Sequence, residues 1–275
     1  MKQERIQLIE GCPDIYLDTY IADPMKGLTR KALLIIPGGA YEYCSPREGE
    51  PVAQAFLPYG YNAFVLHYTV GENNGRPFPA QLIEATLAIK YIKDHAEEYG
   101  IDPEQLFVVG FSAGGHLAGL IATRWKMEEV NAAVADMPYG YNKPKGVMMI
   151  YPAVNARCSN CERYTKAFGT LLACEAPSDE QLDSVSVDLH VDGDTVPAFV
   201  MHTFSDKTVD VRNVMLLGTA YAEAGVPFEM HVFPEGPHGL SVANAITAMG
   251  RPHHINPRVA EWVRLAAEWA ENLRL

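Results

Sequence analysis

The sequence predicts an α/β fold, in which a mostly parallel, twisted sheet is covered by helices on both faces. Short apolar strands alternate with helices along the chain, and this order builds a parallel sheet. A Gly-x-Ser-x-Gly pentapeptide, Gly110–Gly114, joins one of these strands to a helix. The alternation stops in one long segment, residues 153–195, which we expect to lie over the strand ends as a cap-like insertion.

The elements are predicted from apolar periodicity and from turn residues. Two early strands, Ile6–Ile9 and Ile15–Tyr20, are expected to pair in antiparallel fashion at one edge. The buried strands that follow are Lys31–Ile36, Asn62–His67, Leu106–Val109, Gly146–Ile150, Pro197–His202 and Phe228–Phe233. Apolar residues at spacings of three and four predict the helices Ala80–Glu98, Asp210–Glu223 and a closing helix that begins at Asn256-Pro257.

We predict that residues 1–275 form a single domain, because the chain has no internal repeat, no low-complexity tract and no long linker. The insertion is predicted to shape the pocket, since it holds too few apolar residues for a core of its own. Val259, Trp262, Val263, Ala266 and Trp269 would form the inner face of the closing helix. That tryptophan-bearing helix and the acidic charge are also compatible with a homo-oligomer.

The overall charge argues against nucleic acid and anionic membranes as partners. The chain carries 34 acidic and 22 basic residues, a net charge of −12, so no basic surplus is available to neutralise phosphates. No signal peptide and no apolar run long enough to span a membrane are apparent, which predicts a cytoplasmic protein.

The five cysteines are expected to be reduced thiols, because their number is odd and no export signal is visible. Cys158 and Cys161 form a C-x-x-C pair, the kind of spacing that holds zinc. A structural zinc site needs four ligands, and only Cys174 is near in sequence. We therefore expect no metal and no cofactor.

The pentapeptide predicts a nucleophile elbow with Ser112 at its apex. The strand before it and the small-residue helix after it supply the context in which such a turn exposes a serine hydroxyl above the sheet. A serine needs a base and an orienting acid, and in this architecture they follow later strands. His238 follows the last strand and Asp206 follows the strand before it; His253 and His254 are the rival bases.

The loop after the Lys31–Ile36 strand is predicted to supply amides to a developing oxyanion. It contains the pair Gly38-Gly39, so that backbone N–H groups can face the pocket. Gly39 and Ala40 would donate from this loop, and Ala113 from the elbow. Tyr41, Tyr43 and Tyr68 could form an aromatic rim that binds a sugar.

Taken together, these residues resemble an α/β-hydrolase of the esterase/lipase branch, and most closely the bacterial acetylesterases and acetyl-xylan-esterase-like carbohydrate esterases. The resemblance is carried by Pro37–Tyr41, Ser45–Pro51, Phe78–Gln81, Gly110–Ala118, His202–Val209, Gly225–Phe233 and Gly236–Leu240. It implies Ser112 as nucleophile, His238 as base and Asp206 as acid in a metal-independent hydrolysis of small acyl esters, often acetyl groups on sugars. Two positions depart from related oxyanion motifs: Pro37 replaces a histidine and Ala40 replaces the third glycine.

Other functions remain open at this point. The same three residues could serve an arylformamidase or a peptidase-like hydrolase. A binding protein on a hydrolase scaffold is a further alternative, although an intact Ser, Asp and His set favours catalysis.

Overall fold

The computed structural model describes residues 1–71, 76–159 and 161–274, and it contains one eight-stranded sheet. The strands are β1 Arg5–Gln7, β2 Tyr16–Tyr20, β3 Arg30–Ile36, β4 Tyr61–His67, β5 Ile101–Phe111, β6 Gly146–Ile150, β7 Ala198–Thr203 and β8 Phe228–Phe233. Their order in the sheet is β1-β2-β4-β3-β5-β6-β7-β8. The β1–β2 and β2–β4 pairs are antiparallel and all the others are parallel, which confirms the predicted α/β-hydrolase architecture.

Helices cover both faces of the sheet. The α-helices are α1 Glu50–Phe56, α2 Ala80–Asp94, α3 Ala96–Tyr99, α4 Ala113–Arg124, α5 Glu128–Ala133, α6 Glu162–Leu172, α7 Asp179–Ser184, α8 Arg212–Ala224, α9 Ala245–Ala248, α10 Pro257–Ala260 and α11 Trp262–Asn272. Short 3-10 turns occupy Pro46–Glu48, Leu57–Tyr59, Val187–His190 and Pro252–His254. Within the described residues no helix is both long and apolar enough to cross a membrane.

Two apolar cores lie on opposite sides of the sheet, because successive side chains of a strand point to opposite faces. In β3, Ala32 and Leu34 join the core beneath α2, α4 and α8. Leu33 and Ile35 join the core beneath α1 and α11. All four are completely buried, as the continuous apolar run in the sequence predicts.

The predicted boundaries differ from the structure mainly in one helix and one strand. The expected helix Ala80–Glu98 is interrupted at His95, whose backbone leaves the helical region and whose Nδ1 bonds to the carbonyl oxygen of Tyr91. Helix α3 then ends at Gly100 in a left-handed conformation. Strand β5 begins at Ile101, five residues earlier than predicted, since its first residues pair with the start of β3.

The segment 153–195 folds as α6, α7 and the 3-10 turn Val187–His190. Helix α7 begins with a capping box between Ser178 and Gln181. The buried apolar side chains of the segment pack into the core beneath α2 and α4 rather than into a separate one; they include Tyr164, Phe168, Leu171, Val185 and Val187. One face of α6 is thereby presented to the strand ends.

The closing helix is split into α10 and α11, and its predicted inner face is confirmed. Asn256 caps α10 by accepting a hydrogen bond from the Val259 amide. Trp262 is fully buried and Trp269 is 9% exposed. Both indoles therefore stabilise the core of this chain, and they give no support to an oligomer contact.

Candidate active site

The parallel strands bring several loops to one edge of the sheet, because their carboxyl ends all lie there. The loop after β3 begins at Pro37, Ser112 follows β5, and Asp206 and His238 follow β7 and β8. Residues that are distant in the sequence thus share one region.

Ser112 lies in a strained turn between β5 and α4. Its φ of 53° and ψ of −113° fall where side chains are rarely found, as expected for a nucleophile elbow. A Cβ atom on Gly110 would lie 2.1 Å from the carbonyl oxygen of Gly114, and one on Gly114 would lie 2.1 Å from that of Ile36. Only glycine allows the strand and helix to approach this closely.

A continuous series of hydrogen bonds links Ser112, His238 and Asp206. The Ser112 Oγ lies 2.8 Å from Nε2 of His238, and Nδ1 of His238 lies 2.6 Å from Oδ2 of Asp206. Oδ1 of Asp206 accepts hydrogen bonds from the amides of Thr208 and Val209, at 2.8 and 3.0 Å. Burial opposes ionisation of Asp206, but the hydrogen bonds from His238 and from the Val209 amide favour the carboxylate, and the pKa of Asp206 lies below its ordinary value.

These contacts define the imidazole tautomer. An ionised Asp206 can only accept, so Nδ1 of His238 carries the proton. Nε2 is then an acceptor that faces the hydroxyl of Ser112. The arrangement has the geometry that a serine needs in order to lose its proton as it attacks.

Three other histidines, His116, His202 and His254, are buried and have hydrogen-bond partners other than Ser112. His116 is completely buried, donates from Nε2 to Val185 O and accepts at Nδ1 from the Tyr41 hydroxyl, both at 2.6 Å. His202 is also buried and bonds to Val209 O through Nε2. Of the two rival bases, His254 accepts a hydrogen bond at Nδ1 from Arg47 and lines the cavity, whereas His253 lies beyond it.

The loop after β3 has an unusual backbone. Gly39, Ala40 and Tyr41 have φ values of 136°, 56° and 59°, although left-handed conformations disfavour side chains. Within the described residues, the N–H groups of Gly39 and Ala40 have no hydrogen-bond acceptor. Ala113 opens helix α4, where the first amides have no acceptor within the helix. All three residues line the cavity beside Ser112.

Two tyrosines of the predicted sugar rim have their hydroxyls bonded within the protein, and one of them, Tyr41, lines the cavity. The Tyr41 hydroxyl donates to His116, and the Tyr68 hydroxyl donates to Pro37 O at 2.8 Å. Both rings are at least 98% buried, and Tyr68 does not line the cavity. A buried hydroxyl needs a hydrogen-bond partner within the protein. These two bonds therefore hold the loop after β3 against the core. Tyr43 is 48% exposed and does line the cavity.

Glu48 is part of the site, although no sequence motif assigned it a role there. Its buried carboxylate accepts hydrogen bonds from the Gly38 amide and the Tyr151 hydroxyl, at 2.9 and 2.8 Å. The Tyr151 oxygen in turn accepts from the Ser241 amide, and its ring packs edge-on against His238. Burial raises the pKa of Glu48. An acidic residue in a short turn is normally solvated, so only the folded chain identifies this role.

The cavity above Ser112 has a volume of about 890 Å³ including its open mouth. The segment 153–195 contributes Ala153 and four side chains of α6: Arg163, Tyr164, Ala167 and Phe168. Among the described residues, no three His, Cys, Asp or Glu side chains are grouped so as to hold a metal ion. Cys158 and Cys161 are free thiols, and the intervening Asn160 lies outside the described residues.

Comparison with known proteins places this architecture in a family. The BD-FAE family model matches residues 14–221, a stretch that includes Ser112 and Asp206 and ends before His238. The chain is 38% identical over 219 residues to endo-1,4-beta-xylanase B of Butyrivibrio fibrisolvens, and 27% identical over 219 residues to the acetylxylan esterase of Xylanibacter ruminicola. These matches cover 78% and 76% of this chain but only 33% and 41% of the two relatives.

A solved structure covers nearly the whole chain. The α/β-hydrolase enzyme MGS-M1, from a deep-sea metagenome library of the Medee basin, is 33% identical and superposes with a TM-score of 0.78. The alignment covers 98% of this chain and 97% of MGS-M1. The fold and its main connections are therefore shared over essentially their full length.

Proposed function

The chain belongs to the BD-FAE family, and from this premise we propose that it is a serine esterase which hydrolyses small acyl esters. The observation that carries the proposal is the hydrogen-bonded series from Ser112 through His238 to Asp206, beside the Gly39 and Ala40 amides, which have no acceptor among the described residues. Nucleophile, base, orienting acid and oxyanion donors are the four parts that acyl transfer requires.

In the acylation step, Ser112 Oγ attacks the carbonyl carbon of the ester and His238 Nε2 takes its proton. The negative charge that forms on the carbonyl oxygen is held by the amides of Gly39 and Ala113, with Ala40 as the further donor of the loop. Asp206 stabilises the imidazolium that results. Collapse of the intermediate breaks the bond to the alcohol, and His238 returns its proton to that leaving oxygen.

In the second step, a water molecule takes the place of the alcohol. His238 removes a proton from it, the resulting hydroxide attacks the acyl carbon, and the bond to Ser112 breaks as the serine recovers its proton. The products are the free acid and the original enzyme. No redox partner or cofactor is needed for either step.

We propose acetyl as the acyl group and a carbohydrate as the alcohol. The acetylxylan esterase among the relatives supports this choice. The wall beside Ser112 includes Ala153, Phe168 and Val209, apolar side chains that suit a short acyl chain. The open mouth leaves space for a larger alcohol, and the exposed ring of Tyr43 is placed to pack against a sugar.

The nucleophile is tested with Ser112→Ala on p-nitrophenyl acetate. We expect kcat to fall by at least about 10⁴-fold, since a triad acts as a unit. Ser184→Ala, on helix α7 outside the cavity, is the control and should retain wild-type activity. A fluorophosphonate probe should label Ser112 alone. Full activity of Ser112→Ala, or labelling of another residue, would exclude the mechanism.

The substrate class is tested with a panel at equal concentration. It contains acetyl and longer acyl esters, acetylated xylan oligomers and monosaccharides, formylkynurenine and an aminoacyl amide. We expect the fastest turnover with acetyl esters and measurable acetate release from the sugars. Preference for formylkynurenine or the amide would instead favour the formamidase or peptidase-like alternative. Acetyl turnover with no release from any sugar would reject the carbohydrate assignment.

A further inference from the structure

The cavity above Ser112 differs in charge from the rest of the molecule. The chain has a net charge of −12, yet three arginines line this cavity: Arg47, Arg163 and Arg251. Glu48 is the only carboxylate among the described lining residues, and its two oxygens already accept hydrogen bonds from within the protein. The cavity is therefore cationic on an acidic protein.

The two outer arginines are free to meet a ligand. Arg163 on α6 and Arg251 before the turn Pro252–His254 are exposed, and neither forms an ion pair within the residues described. By contrast, Arg157 and Arg212, which lie outside the cavity, pair with aspartates. An arginine that lacks a carboxylate at the mouth of a site retains its full set of donors for an anion.

The third arginine is held in place by the protein. Arg47 donates from Nε to Thr247 O at 2.6 Å and from Nη2 to Nδ1 of His254 at 3.0 Å. It also lies against the loop of the proposed base, since a Cβ on Gly239 would be 3.7 Å from its Nη1. Arg251 adjoins Arg47 through His254, whose amide donates to Arg251 O at 2.9 Å, and both arginines line the cavity together with His238 and Gly239.

That wall is the side from which the alcohol departs. His238 protonates the leaving oxygen in the proposed mechanism, so the alcohol must lie next to His238 and away from the amides that hold the oxyanion. A charge on the alcohol would therefore come close to Arg47 and Arg251, and Arg163 of α6 lines the same cavity.

We propose that this cavity selects esters whose alcohol part carries a carboxylate. The proposal rests on the esterase function above and specifies its substrate class. A carboxylate on the alcohol can take two parallel N–H bonds from one guanidinium, which no neutral hydroxyl matches. A cleft lined by one sign of charge also concentrates substrates of the opposite sign and raises their association rate.

The direct test compares two esters that differ in one group. 4-Acetoxybenzoate is ionised at about pH 7, whereas 4-acetoxybenzamide is neutral and of nearly the same size. We expect kcat/KM for the carboxylate to exceed that for the amide by about tenfold at low ionic strength. The ratio should decline as sodium chloride is added, because exposed charges are screened over about 10 Å at 0.1 M salt.

Substitution assigns the preference to particular side chains. Arg251→Gln and Arg163→Gln should each lower the ratio of the two kcat/KM values about threefold to tenfold, and Arg251→Lys should restore part of the loss. Arg258→Gln is the matched control, because Arg258 is an exposed arginine on α10 outside the cavity. Its ratio should equal that of the wild type.

The outcomes separate this proposal from the esterase function. If both esters are hydrolysed in a Ser112-dependent manner but the ratio is near one, or the Arg258→Gln variant lowers it as much as the cavity variants do, the anionic preference is rejected while the esterase stands. If neither ester is hydrolysed and p-nitrophenyl acetate is also inert, the esterase function itself is rejected. A ratio that falls only in the cavity variants supports the proposal.

Discussion

Oδ2 of Asp206 lies 2.6 Å from Nδ1 of His238, and Oδ1 of the same carboxylate is held by the amides of Thr208 and Val209. The imidazole is therefore oriented by an acid that cannot rotate without losing two backbone bonds. An asparagine at this position could present its NH₂ group to Nδ1 and so favour the wrong tautomer.

We accordingly predict that Asp206→Asn lowers kcat on p-nitrophenyl acetate by about 10⁴-fold while the protein remains folded. Asp210→Asn is the control. Asp210 lies in the same loop but is paired with Arg212 in solvent, and its loss should change kcat less than twofold. Activity of Asp206→Asn within tenfold of the wild type would show that another acid orients His238.

Glu48 connects the loop after β3 to the wall behind His238, and we predict that its removal affects turnover more than binding. Glu48→Ala leaves two buried donors, the Gly38 amide and the Tyr151 hydroxyl, without their acceptor. Each unsatisfied donor destabilises the fold by about 1–3 kcal/mol. Displacement of the neighbouring Gly39 amide should lower kcat by about 10²-fold with a smaller change in KM.

Glu50→Ala serves as the control for this measurement, because Glu50 is exposed on α1 and bonds only to Gln54 within the described residues. Kinetics and urea unfolding are measured on both variants. A Glu48→Ala enzyme with wild-type kcat would mean that the loop after β3 keeps its geometry without the carboxylate.

His116 makes the stability of the fold depend on pH. Complete burial lowers the pKa of His116 to about 4 from its ordinary value of about 6.5, so the folded protein holds the ring neutral. The contribution of neutral His116 to the free energy of unfolding is fully present above about pH 6.5. It is lost as the pH falls toward 4, because the unfolded chain binds the proton at a higher pH than the folded chain does. The free energy of unfolding is thereby lowered by about 2 kcal/mol at pH 5, and by about 3 kcal/mol once the pH is well below 4.

This effect is measured as the difference in urea-unfolding free energy between pH 7 and pH 5, for the wild type and for His116→Gln. The variant should be less stable at pH 7 but should lose about 2 kcal/mol less than the wild type on acidification. His202 is also buried and remains in both proteins, so only the difference between them reports on His116. Equal losses would show that the buried ring is protonated without penalty.

The turn at Ser112 depends on the absence of a Cβ atom at Gly114. In Gly114→Ala the new methyl group would lie 2.1 Å from the carbonyl oxygen of Ile36, so strand and helix must separate. We predict a destabilisation of about 3 kcal/mol or more and loss of activity. Gly193→Ala meets nothing within 4 Å and should change stability by less than about 1 kcal/mol. Thermal unfolding of both variants, at equal protein concentration, provides the comparison.

Much of the fold could be predicted because local sequence patterns determine where its strands and helices lie. The apolar runs of β3, β4, β6 and β8 end within one residue of the expected positions. Helix periodicity located α2 and α8, although a local bond between His95 and the Tyr91 carbonyl ended α2 four residues early. The glycine spacing around Ser112 also predicted a strained turn, and the structure has one.

The direction of side chains could not be predicted in the same way. Tyr41 and Tyr68 were both expected to line the substrate site. Their hydroxyls bond to His116 and to the Pro37 carbonyl, and Tyr41 lines the cavity whereas Tyr68 does not. Glu48 lies in Ser45–Pro51, where the resemblance is carried, but no local pattern predicted its contacts, because its two donors, the Gly38 amide and the Tyr151 hydroxyl, come from two other loops. Such contacts depend on packing between distant elements, which no local pattern contains.

By itself, the sequence determined the alternation of strands and helices, the elbow at Ser112 and the strand ends at which Asp206 and His238 lie. Apolar periodicity and turn-forming residues act over a few positions, so they can be recognised in the sequence. Only the tertiary structure decided that Ser112 and His238, 126 positions apart, lie within hydrogen-bond distance. The folded chain also places three arginines of an acidic protein, Arg47, Arg163 and Arg251, around one cavity, because charges from distant segments come together only when the chain is packed.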